Sequence, residues 1–419
     1  MENLGSLTNW VRRVTASLAC VAVVVSMSAC AVQPKNGADS IPSPTPVPKT
    51  TEQKIGILLP ESEFFSFLDQ ATFTRYSYIE EKLRAELKGS FSERNIISET
   101  THSNDDAAKK LNAMLELGIT MLIIAPYPEK QAVNNLLFGN ETNAFTALRA
   151  SLTKASEQGV YIAGWGEKVT KFEYNAFAEL PTFEQIGRAE AEFVVDKLEL
   201  KEATNQPKNI EIFLSAGKTV RDDLRARDYF KGVFEVLKPY FVSGKLVTLS
   251  GLMTNETVLA DYKKFEVNAS DENEMSNLLA KNLRDVYGYG TEHEKRLDVI
   301  IATDDYLANA CKKPLEEIGA NPEVQNSLWP IITGFGGNKT SIVNVVNKNQ
   351  SMTVIYDTNG LVADLSKLII NNAVLMDGNQ AVKHAETTLL QTKLIYITQA
   401  NLMDEMVNSG YISPQDAGL

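Results

Sequence analysis

The amino-acid sequence predicts an α/β protein with two lobes, each built on a doubly wound parallel sheet. Short apolar runs of the kind found in buried parallel strands alternate with helical patterns along most of the chain. The alternation pauses after Trp165 and then restarts, which indicates a second lobe. A chain of 419 residues is also long enough for two domains, each with an ordinary core.

The N-terminus, residues 1–29, is predicted to be a bacterial lipoprotein signal peptide. Two arginines precede an apolar run that ends at Val25, and this run is too short for a permanent membrane span. Met27-Ser28-Ala29-Cys30 resembles a lipobox, in which the cysteine is lipidated and becomes the first mature residue. An ordinary signal peptide with an incidental Cys30 is the alternative.

Residues 30–53 are rich in proline, serine and threonine and are predicted to form an extended tether. The folded part then opens with an apolar strand over residues 54–60. Asn104 or Asp105 is predicted to cap a later helix, because both side chains can accept a bond from the first helical turn. The other strands predicted for the first half cover residues 96–100, 121–126 and 159–163, and the helices cover residues 75–87, 105–117 and 143–157.

The second half repeats this rhythm. Strands are predicted over residues 209–214, 298–303, 330–334 and 352–356, and helices over residues 183–198, 222–237 and 308–318. Cys311 falls in the last of these helices and is expected to be a small, buried, apolar residue.

The composition argues against several classes of function. The formal net charge of −12 is unfavourable for binding nucleic acid, which needs a basic face. His102, His293 and His384 lie far apart and lack metal-ligand spacing. No nucleophile elbow or phosphate-binding glycine loop is present in the sequence. The sequence therefore predicts a protein that is not an enzyme and needs no cofactor.

From Lys54 onward the order of segments resembles the type I periplasmic-binding-protein family, and the multiple-sugar-binding branch in particular. The resemblance implies two lobes that close on a ligand and are joined by a three-stranded hinge. It implies an N-terminal lobe of residues 54–166 and 338–376 and a C-terminal lobe of residues 167–337 and 377–419. The segments that carry the resemblance are Arg75-Tyr76, residues 111–126, residues 236–247, residues 298–319, Thr333-Gly334 and Tyr356-Asp357-Thr358.

This resemblance also implies positions for ligand contacts. In sugar-binding relatives an Asp-Arg pair follows the strand that here ends at Ala163, whereas this chain has Trp165-Gly166. Asp305 does match an acidic position of the family, although a helix-capping role is the alternative. Trp165 is placed to stack on a ligand, or else to pack in the core or hinge.

The remaining candidates are Arg75, Tyr76, Phe64 and Arg225. Arg75 and Tyr76 match a pair that lines the cleft in relatives, or form an ordinary helix start. Phe64 is either a cleft aromatic or a loop residue packed on the lobe. Arg225 is a replacement hydrogen-bond donor or a solvated helix residue.

The resulting prediction is a solute-binding lipoprotein that delivers a small ligand, expected to be a carbohydrate, to the permease subunits of an ABC importer. The membrane is contacted through the lipid anchor alone, at the outer face of the cytoplasmic membrane. Losing the Asp-Arg pair predicts poor binding of free glucose, ribose or xylose and better binding of a modified sugar, an oligosaccharide or a nucleoside-like compound. A receptor that signals to a membrane partner is the alternative.

Overall fold

The computed structural model describes residues 51–61, 76–127, 145–202, 206–216, 220–268, 272–324, 327–378 and 386–419. The predicted signal peptide, nearly all of the tether, and the candidates Cys30, Phe64 and Arg75 lie outside these ranges.

The described strands and helices alternate as the sequence predicts. The strands are β1 (Ile55–Pro60), β2 (Ile96–Thr101), β3 (Met121–Ile124), β4 (Tyr161–Trp165), β5 (Ala176–Glu179), β6 (Lys208–Ala216), β7 (Leu246–Val247), β8 (Glu266–Asn268), β9 (Val299–Ala302), β10 (Ile331–Thr333), β11 (Thr353–Tyr356), β12 (Thr388–Gln391) and β13 (Leu394–Ile397). The helices are α1 (Tyr76–Leu87), α2 (Asn104–Glu116), α3 (Thr146–Glu157), α4 (Phe183–Lys197), α5 (Val220–Val242), α6 (Glu272–Asp285), α7 (Asp305–Ala310), α8 (Lys312–Glu317), α9 (Lys339–Val346) and α10 (Thr358–Asp377).

The first lobe is built on a parallel sheet with the strand order β12-β5-β4-β3-β1-β2. Its inner strands β1, β3 and β4 are buried at every position because helices cover both faces. Ile57 packs into a core with α1 and α10 on one face, and its neighbour Leu58 packs into a core with α2 and α3 on the other. This lobe therefore has two cores, separated by the sheet.

The second lobe has the parallel order β10-β9-β6-β7, with β8 also paired to β6. Strand β11 continues this sheet beyond β10, since the Val354 amide donates to the Gly334 carbonyl at 2.8 Å. Strand β13 then pairs with β11 in the antiparallel direction. Ile301 faces a core with α4 and α5, whereas Ile300 faces a core with α6, α7 and α8. The predicted fold class, two doubly wound lobes, is confirmed.

The chain passes between the lobes at three places, and the sequence-based positions of these crossings are wrong. The crossings were expected near Gly166, near Gly337 and at residues 376–380. In the structure β5 and β12 still belong to the first sheet, so the chain crosses after Glu179, after Tyr356 and after Gln391. Both strands carry a weak apolar signal, since β5 reads Ala-Phe-Ala-Glu and the edge strand β12 reads Thr-Leu-Leu-Gln.

The three crossing segments are hydrogen-bonded to one another. The Thr392 amide donates to the Glu179 carbonyl at 3.1 Å, and the Asp357 amide donates to the Lys393 carbonyl at 2.9 Å. Two of the crossings also begin helices. Thr182 forms a capping box at the start of α4, and the Asp357 side chain accepts from the Gly360 amide at 2.8 Å at the start of α10. These caps fix where each helix leaves the hinge.

Helices α4 and α5 pack backbone to backbone through two glycines. A Cβ atom at Gly187 would overlap the carbonyl oxygen of Tyr229, and a Cβ atom at Gly232 would overlap that of Glu184. Only glycine permits this approach, which sets the position of α4 directly after the first crossing.

Candidate functional site

The carboxyl ends of the parallel strands are where a ligand is expected in this architecture. In the first lobe Glu61 follows β1, Tyr127 lies three residues after β3, and Trp165 ends β4. In the second lobe Asp304 lies shortly after β9 and Phe335 lies shortly after β10. The surroundings of these residues decide which of them can reach a ligand.

At the first-lobe ends, two pairs of residues hold the backbone in place. His102 Nδ1 lies 2.7 Å from Glu61 Oε2, and both side chains are largely exposed. Asn104 donates to the Tyr127 carbonyl and accepts from the Tyr127 amide, both at 2.9 Å. Asn104 is therefore not the helix cap predicted from the sequence. Ser103 takes that role, accepting from the Asp106 amide at 3.0 Å.

Trp165 is 1% exposed and packs in the first-lobe core. Its neighbours in that core include Ala178 of β5 and Leu361 and Val362 of α10. A side chain enclosed in this way cannot stack on a ligand unless the lobe rearranges, so the structure supports the packing alternative. Its indole Nε1 has no hydrogen-bond partner among the described residues.

Asp305 is also 1% exposed, and its carboxylate is engaged within the second lobe. Oδ2 accepts from the Gly337 amide at 2.7 Å and from Thr353 Oγ1 at 2.9 Å, and Oδ1 accepts from Gln350 Nε2 at 2.7 Å. These bonds join α7 to β11 and to the loop after β10. The structure thus gives Asp305 a lobe-building role, and a ligand contact by Asp305 stays a prediction.

Two further carboxyl groups are enclosed beside Asp305, and no sequence pattern predicted this cluster. Burial raises the pKa of Asp304 to about 6, although Ser215 Oγ and the first amides of α7 donate to it. Glu190 of α4 is 0% exposed, and burial raises its pKa well above the usual range. The Asp305 and Asp304 carboxyls raise this pKa further.

Arg225 is half-buried on the first turns of α5 and belongs to a chain of aromatic contacts. Its guanidinium carbon lies 5.1 Å from the ring centroid of Phe183. The Phe183 ring meets Phe335 at 6.1 Å, and Phe335 meets Tyr356 at 5.3 Å, both edge to face. We call Arg225, Phe183, Phe335 and Tyr356 the aromatic shelf.

The aromatic shelf lies next to the hinge. Phe183 is the first residue of α4 after one crossing, and Tyr356 is the last residue of β11 before another. Phe183, Arg225 and Tyr356 are each partly exposed, whereas Phe335 is buried. Burial raises the pKa of the Tyr356 phenol, and the nearby Arg225 charge offsets part of this effect. Sequence reasoning identified Arg225 but missed its aromatic partners, which come from three separate segments.

Tyr76 is the first residue of α1, and it packs partly buried against the first-lobe core. Its role in ligand contact stays a prediction, as do those of Arg75 and Phe64 outside the described ranges.

Cys311 is 0% exposed, which confirms its predicted burial. Among the described residues, no group of three or more His, Cys, Asp or Glu side chains is arranged to hold a metal ion. Within the same ranges, every helix is too short or too polar to cross a bilayer.

Two known proteins are similar to this chain in sequence. One from Azospirillum brasilense, named multiple sugar-binding periplasmic protein SbpA, is 26% identical over 275 residues, which is 64% of this chain and 71% of that protein. Another from Rhizobium radiobacter, named multiple sugar-binding periplasmic receptor ChvE, is 27% identical over 235 residues, which is 56% of this chain and 60% of that protein.

Solved structures with the same fold cover most of the chain. An ABC transporter solute-binding protein from Clostridium phytofermentans with bound β-D-glucose has a TM-score of 0.52 at 18% identity, covering 87% of this chain and 100% of that one. A carbohydrate transporter solute-binding protein from Chloroflexus aurantiacus in complex with D-glucose has a TM-score of 0.52 at 20% identity, covering 87% and 98%. At these identities the likeness shows the fold alone.

A family profile described as periplasmic binding protein domain matches residues 141–374, which is more than half of the chain. The match covers α3, β4 and β5 of the first lobe, the second-lobe strands β6 to β11, and most of α10 after the second crossing. Together with the two parallel-sheet lobes and the three crossings, it shows that this chain belongs to the periplasmic-binding-protein family, with the type I fold.

Proposed function

We propose that this chain is an extracytoplasmic solute-binding protein of an ABC importer, and that it binds a sugar or sugar derivative between its lobes. The observation that carries the proposal is the aromatic shelf beside the three-segment hinge. A half-exposed ring with a guanidinium over it offers an apolar face and hydrogen-bond donors together, and a sugar ring presents a matching apolar face and hydroxyl edge. The sugar-binding names of both relatives support the same ligand class.

The ligand is proposed to be a modified sugar, an oligosaccharide or a nucleoside-like compound. Trp165-Gly166 replaces the Asp-Arg pair of relatives, and Trp165 is enclosed in the core. The Asp305 carboxylate already accepts three hydrogen bonds from its own lobe. Each hydrogen bond lost between a sugar and a charged group costs about 1.5–3 kcal/mol. Two such losses weaken the binding of free glucose, ribose or xylose by roughly a hundredfold or more.

The rest of the proposal concerns the setting of the protein. Cys30 carries the lipid, the tether holds the lobes at the outer face of the cytoplasmic membrane, and the loaded protein meets the permease subunits. The chain performs no chemistry. A sensing role is the second candidate, because the relative from Rhizobium radiobacter is named a receptor.

Metabolic labelling with a fatty acid tests whether Cys30 carries the lipid anchor. A Cys30→Ser variant that keeps the label and stays on the membrane rules the anchor out.

A thermal-shift screen of sugars, polyols and nucleosides tests the binding proposal. A ligand at a hundred times its Kd stabilises the native state by about 2.7 kcal/mol and raises Tm. Arg225→Ala should reduce this rise, because Arg225 stacks on Phe183 in the aromatic shelf. Arg227→Ala is the matched control, since Arg227 lies on the same helix and pairs with Asp228 at 2.9 Å. Equal Tm rises in both variants exclude the aromatic shelf from the site.

A further inference from the structure

The C-terminal segment, residues 394–419, is built into the second lobe. It begins with β13, which pairs with β11. Leu402 and Met406 then pack in one buried cluster with Ile342 of α9 and Ile355 of β11. Lys339 Nζ of α9 also pairs with Asp416 Oδ1 at 2.6 Å. We call this segment the tail.

The tail also contacts the first lobe, through helix α1. Lys82 Nζ donates to the Ser409 carbonyl at 3.0 Å. The Tyr78 hydroxyl lies 3.4 Å from the same carbonyl and 2.7 Å from Asn359 Oδ1 at the start of α10. The rings of Tyr78 and Tyr411 meet edge to face with centroids 5.3 Å apart. Three contacts therefore join the tail to helix α1 of the other lobe.

The backbone of the tail makes Ser409 a good acceptor. Ser409 directly follows a π-helical turn at Met403–Asn408. Carbonyl groups at the end of a helical turn lack backbone partners and carry partial negative charge, which favours a lysine ammonium group nearby. Tyr78 is 4% exposed and packs in the same buried cluster as the tail residues Met406 and Ile412. Separating the tail from α1 would therefore expose apolar surface as well as break hydrogen bonds.

We propose that the tail is an inter-lobe latch that holds the hinge in the arrangement of this structure. The crossings after Glu179, Tyr356 and Gln391 are the covalent links between the lobes, and rotation about them moves α1 relative to the tail. Contacts that exist in one arrangement and break in another bias the equilibrium between the two. None of the latch residues belongs to the aromatic shelf. The latch thus sets the ligand-free population of lobe arrangements, and the apparent affinity scales with the binding-competent fraction.

Distances between two spin labels test the latch in the ligand-free full-length chain. Cys20→Ser and Cys30→Ser leave Cys311, which is fully buried. Labels are then placed at Glu157→Cys in α3 of the first lobe and Glu317→Cys in α8 of the second, both exposed sites. Without further change, the main distance should match the arrangement of this structure.

Lys82→Met removes a hydrogen bond across the lobes. Tyr78→Phe keeps the buried ring and removes the 3.4 Å contact with the Ser409 carbonyl, together with the 2.7 Å bond to Asn359 inside the first lobe. Each variant should raise the population at label-to-label distances other than the main one, relative to the population at the main distance, by about fivefold. This factor corresponds to the loss of about one modest hydrogen bond. Lys339→Met is the matched control, because it breaks a tail contact that stays within the second lobe. Unchanged distances in both latch variants, or an equal change in the control, overturn the proposal.

Discussion

Glu190 is the position where a single substitution should change stability in a pH-dependent way. Its carboxyl group is 0% exposed, and neither oxygen has a hydrogen-bond partner among the described residues. The nearby Tyr229 hydroxyl instead donates to the Ala302 carbonyl at 3.2 Å. Burial, together with the Asp305 and Asp304 carboxyls, raises the pKa of Glu190 well above its usual range.

The sign of the effect follows from proton linkage. The folded protein keeps a proton on Glu190 at pH values where the unfolded chain, with a pKa of about 4.3, has lost it. Below this pKa the contribution of Glu190 to the free energy of unfolding is fully present. The contribution falls as the pH rises towards the pKa of Glu190 in the folded protein. The loss is about 1.4 kcal/mol for each pH unit in that window.

Glu190→Gln removes this dependence because the amide does not ionise. The cost of burying the amide is the same at every pH, so the stability of the variant relative to wild type should rise with pH above pH 5, by at most about 1.4 kcal/mol per pH unit. Urea unfolding followed by circular dichroism at pH 5, 6 and 7 measures this difference. A difference that stays constant across the three pH values refutes the reasoning.

Glu211→Gln is the contrasting variant. Glu211 is equally buried, but its carboxylate accepts from the Tyr287 hydroxyl and from Ser250 Oγ, both at 2.7 Å. An amide nitrogen cannot accept one of these bonds, so a buried donor loses its partner. Glu211→Gln should lower the free energy of unfolding by about 1–3 kcal/mol already at pH 5.

Four other substitutions test the packing and the buried hydrogen bonds. Gly232→Ala should strongly destabilise the chain because its Cβ overlaps the backbone of Glu184, whereas Gly89→Ala, with open space around the new atom, should leave Tm nearly unchanged. Trp165→Ala should lower the free energy of unfolding by about 3–5 kcal/mol in urea titration, as expected for a core aromatic, and a loss below about 1 kcal/mol would contradict its core role. Asp305→Ala should cost about 3 kcal/mol, since it leaves buried donors unpaired, and a Tm equal to wild type would show that those donors find other acceptors.

Much of the fold could be predicted because parallel strands covered on both faces leave a strong signal. Met121–Ile124 and Val299–Ala302 are apolar at every position, and the sequence predicted both to within two residues. The strands Ala176–Glu179 and Thr388–Gln391 were missed because their four positions mix phenylalanine or leucine with alanine and polar residues, so the apolar run is weak. These two strands decide where the chain leaves the first lobe, so the predicted crossings were wrong.

The candidate site was harder to predict because burial depends on distant segments. Trp165 ends a strand where a ligand contact is reasonable, but it is buried in a core cluster that includes Leu361 and Val362, almost 200 positions later. The aromatic shelf likewise joins Phe183 and Tyr356 through contacts that no local pattern shows. A residue type at a strand end predicts a position in the fold, and only the tertiary contacts determine whether the side chain is free.

Closure on a ligand tests the central claim most directly. Small-angle X-ray scattering on the purified chain, with and without a saturating compound from the thermal-shift screen, measures the radius of gyration. A ligand held between two hinged lobes contacts both lobes only when they close, so binding should shift the population towards the compact form. We predict a smaller radius of gyration at saturation. An unchanged radius, with binding shown independently by calorimetry, would contradict binding between the lobes.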